Sequence, residues 1–245
     1  MNQVTTVLSA VKRLHYLPSQ IESIKEQTVD SDISLIWHND EPYNLEYPAI
    51  RYINGRDKFN SLYGRFYNSL HIKTPYVFIV DDDILPGKKY LERCIEYSKS
   101  VEDNVVICTF GVNINPDNIT YFDIRRTGTD TFLKTPLQVD IGGEGWFMKT
   151  ELLQHFLRED IVEPSNGEDL HFSFCLHNVG IPIVVLDKDK KDKDTWQDLT
   201  LGYRGADKFG IHRTDNNHYK KRDKLLKLYT NKGWKFITKT KTNLI

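Results

Sequence analysis

The sequence is short of the features that most quickly assign a protein. Its 245 residues carry three cysteines, Cys94, Cys108 and Cys175, odd in number and far apart. With no CxxC pair they outline neither a disulfide framework nor a zinc site, and reduced thiols are expected. No apolar run approaches the ~18 residues of a membrane span, and "MNQVTTVLSAVKR" lacks the basic-then-apolar order of a signal peptide. No segment repeats. An excess of charge of one sign is also missing: the net charge is -1 with 27% charged residues, which singles out neither a nucleic acid nor an acidic partner. The expectation is a soluble cytoplasmic protein with no transmembrane segment. At this length and 39% hydrophobic content, one α/β domain can bury a full core.

What is present is an alternation of apolar runs. "VTTVLSAV" (4–11), "ISLIWHND" (33–40), "AIRYIN" (49–54), "PYVFIV" (75–80) and "NVVICTFGV" (104–112) read as strands. Among them "LPSQIESIKEQT" (17–28), "DKFNSLYGRFYNSLHI" (57–72) and "KKYLERCIEYSKS" (88–100) have apolar residues at helical spacing. That order predicts an α/β domain with a mainly parallel central sheet and helices on its faces. After residue 112 the rhythm breaks into turn residues and short strand-like pieces up to "GGEGWFMK" (142–149). "ELLQHFL" (151–157) and "EDLHFSFCLHNVG" (168–180) read as helices and "IPIVVLD" (181–187) as a last strand. Residues 188–210 read as a polar loop, and 216–234 as a basic helix.

"VFIVDDDILPG" (77–87) ends the strongest strand on Asp81, Asp82 and Asp83. Ligands of such sheets bind outside the carboxyl ends of the strands, where Ser9 to Arg13 and His38 to Asp40 also fall. Carboxylates held side by side repel one another, and a divalent cation removes that cost. Magnesium and manganese prefer oxygen ligands and keep positions open for phosphate. A metal bridging carboxylate to diphosphate is one reading, and a solvated strand-end turn aided by Leu85, Pro86 and Gly87 is the plain alternative. An aspartyl phosphatase motif of the haloacid dehalogenase type fits poorly. Position 85 is Leu, and the motif follows a fourth strand instead of the first.

Taken in order, "VTTVLSAVKR", "SLIWHND", "NSLYGRFYNSLHIKTPYVFIVDDDILP", "GGEGWFMKTELL" and "NGEDLHFSF" resemble the GT-A fold glycosyltransferases. The likeness is to small nucleotide-sugar-dependent enzymes of the family-two and exostosin-like kinds. It covers roughly residues 4 to 215 and rests on pattern and order, not on one long signature. It implies a Rossmann-like nucleotide-diphospho-sugar transferase domain over 1–215, with 216–245 as a basic helix and tail packed on it. The implied activity is hexosyl or pentosyl transfer from a nucleoside diphosphate sugar, UDP preferred, with Mn2+ or Mg2+ as cofactor.

By the same resemblance Ala10, Arg13, Asn39 and Asp40 would hold base and ribose, and Arg65 the nucleotide or its phosphates. Asp83 would ligate the metal, Asp81 would lie near the sugar nucleotide, and Asp82 would share either task. "GGEGWFMK" would floor the donor-sugar and acceptor site, with glycines such as Gly143 admitting a ligand and Trp146 stacking on a sugar face. A glycine-rich bend with Trp146 in the core is the alternative. Asp169, then Glu168, would be the general base that takes the acceptor proton, although a carboxylate at a helix start is also stabilised without any catalytic role. His212 would complete the metal site, with Arg213 meeting phosphate, while His218 falls within the closing helix pattern.

From residue 218 the chain carries Lys220, Lys221, Arg222, Lys224, Lys227, Lys232, Lys235, Lys239 and Lys241 against Asp223 alone. A solvated helix face accounts for this. So does a polyanionic acceptor, an anionic membrane surface or nucleic acid. Together with the resemblance, this implies a glycan, a protein or a hydroxymethylated DNA base as the acceptor class. A non-catalytic module that binds a sugar nucleotide or a glycan on the same fold is the competing class.

Overall fold

The computed structural model describes residues 2–11, 13–37, 50–54, 62–128, 132–189, 191–196 and 210–237. The β-branched run at the start forms β1 (Val4–Ala10), buried along its whole length. Continuous burial of this kind marks a strand covered on both faces. It pairs in parallel with β2 (Ser31–Trp37) on one side and with β4 (Tyr76–Val80) on the other. Strand β3 (Ile50–Asn54) extends the parallel set beyond β2. Helix α1 (Leu17–Lys25) covers one face through Leu17, Ile21 and Ile24, the apolar spacing that predicts it. Helix α2 (Gly64–Tyr67) is shorter than the pattern over 57–72 predicts among the described residues, and α3 (Tyr90–Ser100) agrees with its pattern.

The sheet is mixed α/β in character, not mainly parallel throughout. Strand β5 (Val106–Ile114) follows α3, and a hairpin partner, β6 (Ile124–Thr127), lies antiparallel to it. Residues that read as turn-rich then supply β7 (Leu137–Val139) and β8 (Ile141–Lys149). Strand β8 enters between β4 and β5, antiparallel to both. With β9 (Ile183–Val185), the strand order is β3-β2-β1-β4-β8-β5-β9-β7. The three glycines of "GGEG" lower strand propensity, which hid β8 from a periodicity reading. They are needed for packing: a Cβ at Gly142 would sit 2.4 Å from Cys108 Sγ.

A 3-10 helix at Thr150–Leu157 replaces the α-helix expected there, and α4 (Glu168–His177) packs on β8 and on this turn. The segment after β9 includes α5 (Lys193–Trp196), whose Trp196 is buried against Tyr90. Helices α6 (Ile211–Thr214) and α7 (His218–Asn231) close the chain. Leu225, Leu226 and Tyr229 of α7 are buried, and Tyr229 stacks on Phe174 of α4 at 4.4 Å. Truncating such a leucine to alanine costs about 2–5 kcal/mol, whereas an exposed ion pair contributes about 0–1 kcal/mol. The apolar face therefore decides where α7 sits.

Candidate functional site

Strands β1 and β4 are parallel and in register, with Leu8 opposite Val80, so their carboxyl ends open on one edge. The chain beyond β1 brings Arg13 over the aspartates beyond β4. Arg13 Nη1 donates to Asp82 Oδ1 at 2.5 Å and lies 3.3 Å from Asp83 Oδ2. Arg65 of α2 reaches Asp81 with one nitrogen and Glu168 Oε1 with the other, the latter at 3.0 Å. Among the described residues, a pair of arginines thus sits opposite the three aspartates.

The turn carrying the aspartates is fixed from below by α1. Gln20 Nε2 donates to the carbonyls of Asp81 (2.7 Å) and Ile84 (3.1 Å), Ser23 to Pro86 (2.7 Å), and Gln27 to Gly87 (2.7 Å). All three side chains are buried. Their spacing looks like an ordinary solvated helix edge in the sequence, and only the tertiary fold shows that it is a cradle.

Strand β8 supplies the other wall. Between Cys108 and Phe110 the β5–β8 register shifts, so that Glu144 and Gly145 both oppose Thr109. Glu144 takes a left-handed backbone, φ 64°, and its carbonyl accepts the N–H of Asp81 at 2.8 Å. Bulges of this kind re-aim a side chain. Glu144 lines the cavity, a role that sequence reasoning missed, although a lone acid between glycines in "GGEGW" was a visible signal.

The cavity has a volume of about 420 Å³. Five carboxylates line it, from Asp81, Asp82, Asp83, Glu144 and Glu168, against the guanidiniums of Arg13 and Arg65. Burial and the neighbouring Asp169 raise the pKa of Glu168, with Arg65 and Arg222 pulling the other way. Among the described lining residues carboxylates outnumber guanidiniums, and a bound cation is favoured by such a set of oxygens. The donors are hard oxygens, with His212 and His218 also in the wall. Among the described residues no three His, Cys, Asp or Glu side chains surround a common metal position. Magnesium is commonly held by one or two carboxylates and completed by phosphate and water, so the donor chemistry of Asp82 and Asp83 fits such an ion.

The structure brings Arg13, Arg65, Asp81, Asp82, Asp83, Glu168 and His212 to this one cavity. It does not bring Asp169, which turns away to pair with Arg222. Arg222 also donates to Asn166 at 3.3 Å and lies over the Tyr121 ring at 4.3 Å. Ala10 is buried at the end of β1, and its neighbours Ser9 and Val11 are the cavity-lining residues there. Gly143 lies within β8, where an added Cβ would meet Phe110 at 3.1 Å. Trp146 is wholly buried, edge-on to Phe66 at 5.7 Å and beside Phe172 at 5.4 Å, which leaves no face for a sugar. The alternative of a core tryptophan is the one observed. Asn39 and Asp40 lie outside the described residues.

His218, set aside in the sequence, reaches the cavity from the start of α7. Its Nδ1 accepts from the Asn166 amide at 3.0 Å, and burial with nearby Arg222 lowers its pKa to about 4. It is therefore neutral near pH 7. The lysines of α7 and its C-terminal end are less unopposed than the sequence indicated. Lys221 meets Asp215 at 3.0 Å, Lys227 meets Asp223 at 2.7 Å and Lys232 meets Glu159 at 2.6 Å. No described helix is long and apolar enough to cross a membrane. Compared with known proteins, the sequence matches no family model and no curated relative.

Proposed function

We propose that the protein is a GT-A-type glycosyltransferase that takes a nucleoside diphosphate sugar, UDP-linked by preference, and passes the sugar to an acceptor hydroxyl. The observation that carries this reading is the acidic cavity at the carboxyl ends of β1 and β4, which joins Asp81 to Asp83, Arg13, Arg65 and Glu168. In this reading Asp83 and Asp82 hold Mn2+ or Mg2+, with His212 at the wall. The bound ion supplies Lewis-acid stabilisation of the leaving diphosphate. Arg13 and Arg65 offer guanidiniums to phosphate oxygens, the geometry that arginine serves best.

Glu168 takes the place of Asp169 as the base. It faces the cavity, and a raised pKa makes a carboxylate a stronger proton acceptor. It removes the proton of the acceptor hydroxyl as that oxygen bonds to the anomeric carbon and the sugar–phosphate bond breaks. Arg65 holds the carboxylate in position during this step.

One observation favours the non-catalytic module: the three aspartates already have arginine partners in this structure. Calorimetric titration with UDP, GDP and CMP, each with Mn2+ and with EDTA, tests both readings. Metal-dependent binding of one nucleotide, lost in Asp83→Ala and followed by turnover of its sugar conjugate, supports the transferase. Binding with neither hydrolysis nor transfer supports the module, and no nucleotide binding under any condition removes the transferase and the nucleotide-binding form of the module.

A further inference from the structure

A row of rings leads out of the cavity. His212 and His218 line it and stand 6.4 Å apart. His218 meets Tyr219 edge-on at 4.9 Å, and Tyr219 lies 5.8 Å from Phe122. Phe122 is 65% exposed and Tyr219 is 38% exposed, so neither ring is spent on the core. They come from different parts of the chain, the loop before β6 and the first turn of α7.

The surroundings decide what such rings would bind. Asp123 accepts from the amides of Asn115 (2.8 Å) and Asn118 (3.0 Å). Asp223 accepts from the Thr120 hydroxyl at 2.6 Å and the Tyr121 N–H at 3.1 Å. Asp215 and Asp223 also neutralise Lys221 and Lys227. Lys221, Lys227 and Arg222 are each paired with a carboxylate, so these groups offer a polyanion no uncompensated cation. A neutral ligand with many hydroxyls would find rings for its apolar faces and oxygens for its donors.

We propose that Phe122 and Tyr219 form the acceptor subsite for a neutral oligosaccharide. A sugar ring lies with its C–H face on the two aromatics, and the chain runs past His218 so that its terminal hydroxyl enters the cavity. The direction of the chain rests on the transferase reading, whereas saccharide binding at the two rings does not.

The test is saturation-transfer NMR with neutral oligosaccharides of glucose, N-acetylglucosamine, galactose and mannose, and with oligothymidylate as the anionic, stackable control. At least one saccharide is expected to bind the wild type. Phe122→Ala and Tyr219→Ala should each weaken it about tenfold, Phe122→Trp should restore it, and UDP titration with Mn2+ should be unchanged in all three. Saccharide binding without nucleotide binding would remove the transferase and leave the subsite standing. Absence of binding by every saccharide, or equal binding by the alanine variants, would overturn the subsite. Salt-dependent preference for oligothymidylate would overturn it in favour of a single-stranded nucleic acid.

Discussion

Arg65 and Glu168, 103 positions apart in the chain, meet at 3.0 Å in the wall of the acidic cavity. Because the same guanidinium reaches Asp81, one side chain ties the strand-end aspartates to the start of α4. If Glu168 is the base, Glu168→Gln keeps the shape and an acceptor for Arg65 but cannot take a proton. Transfer should fall by at least ~100-fold with nucleotide affinity unchanged. Asp169→Asn should instead leave Arg222 poorly paired in the interior, costing roughly 3 kcal/mol of stability with activity retained. Steady-state kinetics and urea titration of both variants separate the two roles, and the reverse pattern would return the base to Asp169.

Arg13 competes with any cation for Asp82 and Asp83. Arg13→Ala should therefore tighten the binding of Mn2+ alone by roughly tenfold, while weakening the nucleotide that loses a guanidinium. Asp83→Ala should weaken both. Paramagnetic titration of Mn2+ with and without UDP reads the two effects separately. Mn2+ affinity that falls in Arg13→Ala would show that Arg13 helps to build the metal position instead of blocking it.

The parts of this site that were legible in the sequence are those where one strand end carries the chemistry. Asp81 to Asp83 and Arg13 follow β4 and β1, and parallel register alone brings them together. Glu168 and Asp169 were legible as a pair, but the choice between them depends on which side of α4 faces the cavity, and that is set by Arg65 and Arg222 from distant segments. For Trp146 the sequence left both a sugar-stacking role and a place in the core open, because β8 was hidden by its glycines. A strand inserted between β4 and β5 puts its tryptophan in the core. The pairing of Lys221 with Asp215 and of Lys232 with Glu159 was invisible because the acids come from outside the helix.

Asp140 provides a pH test away from the cavity. It is buried and accepts the N–H groups of Ile114 and Ile237, each at 2.8 Å, yet desolvation still raises its pKa to about 6. An unfolded aspartate titrates near ~3.9. Between these values the native state holds a proton that the unfolded chain has released, so stability falls as pH rises through the window, by roughly 3 kcal/mol in all, and then levels off. Asp140→Asn removes the titration but leaves one N–H without a good acceptor. The difference between wild-type and variant urea midpoints should thus shrink as pH rises from about 4 to about 6. A constant difference would show that Asp140 does not change its protonation there.

Gly167 precedes Glu168 with φ 83°, a backbone conformation that costs an L-residue about 1–2 kcal/mol. An added Cβ would also lie 2.3 Å from Leu225 Cδ1, so α7 rests directly on the backbone that starts α4. Gly167→Ala should cost about 3 kcal/mol from strain and overpacking together. It should also lower activity beyond the stability loss, because displacing α7 displaces His218 from the cavity wall. Leu225→Ala removes the methyl that blocks the Cβ, so the double variant should be less destabilised than the two single costs added. Strict additivity in urea titrations would mean that the backbone conformation, and not the seat of α7, is what requires glycine at this position.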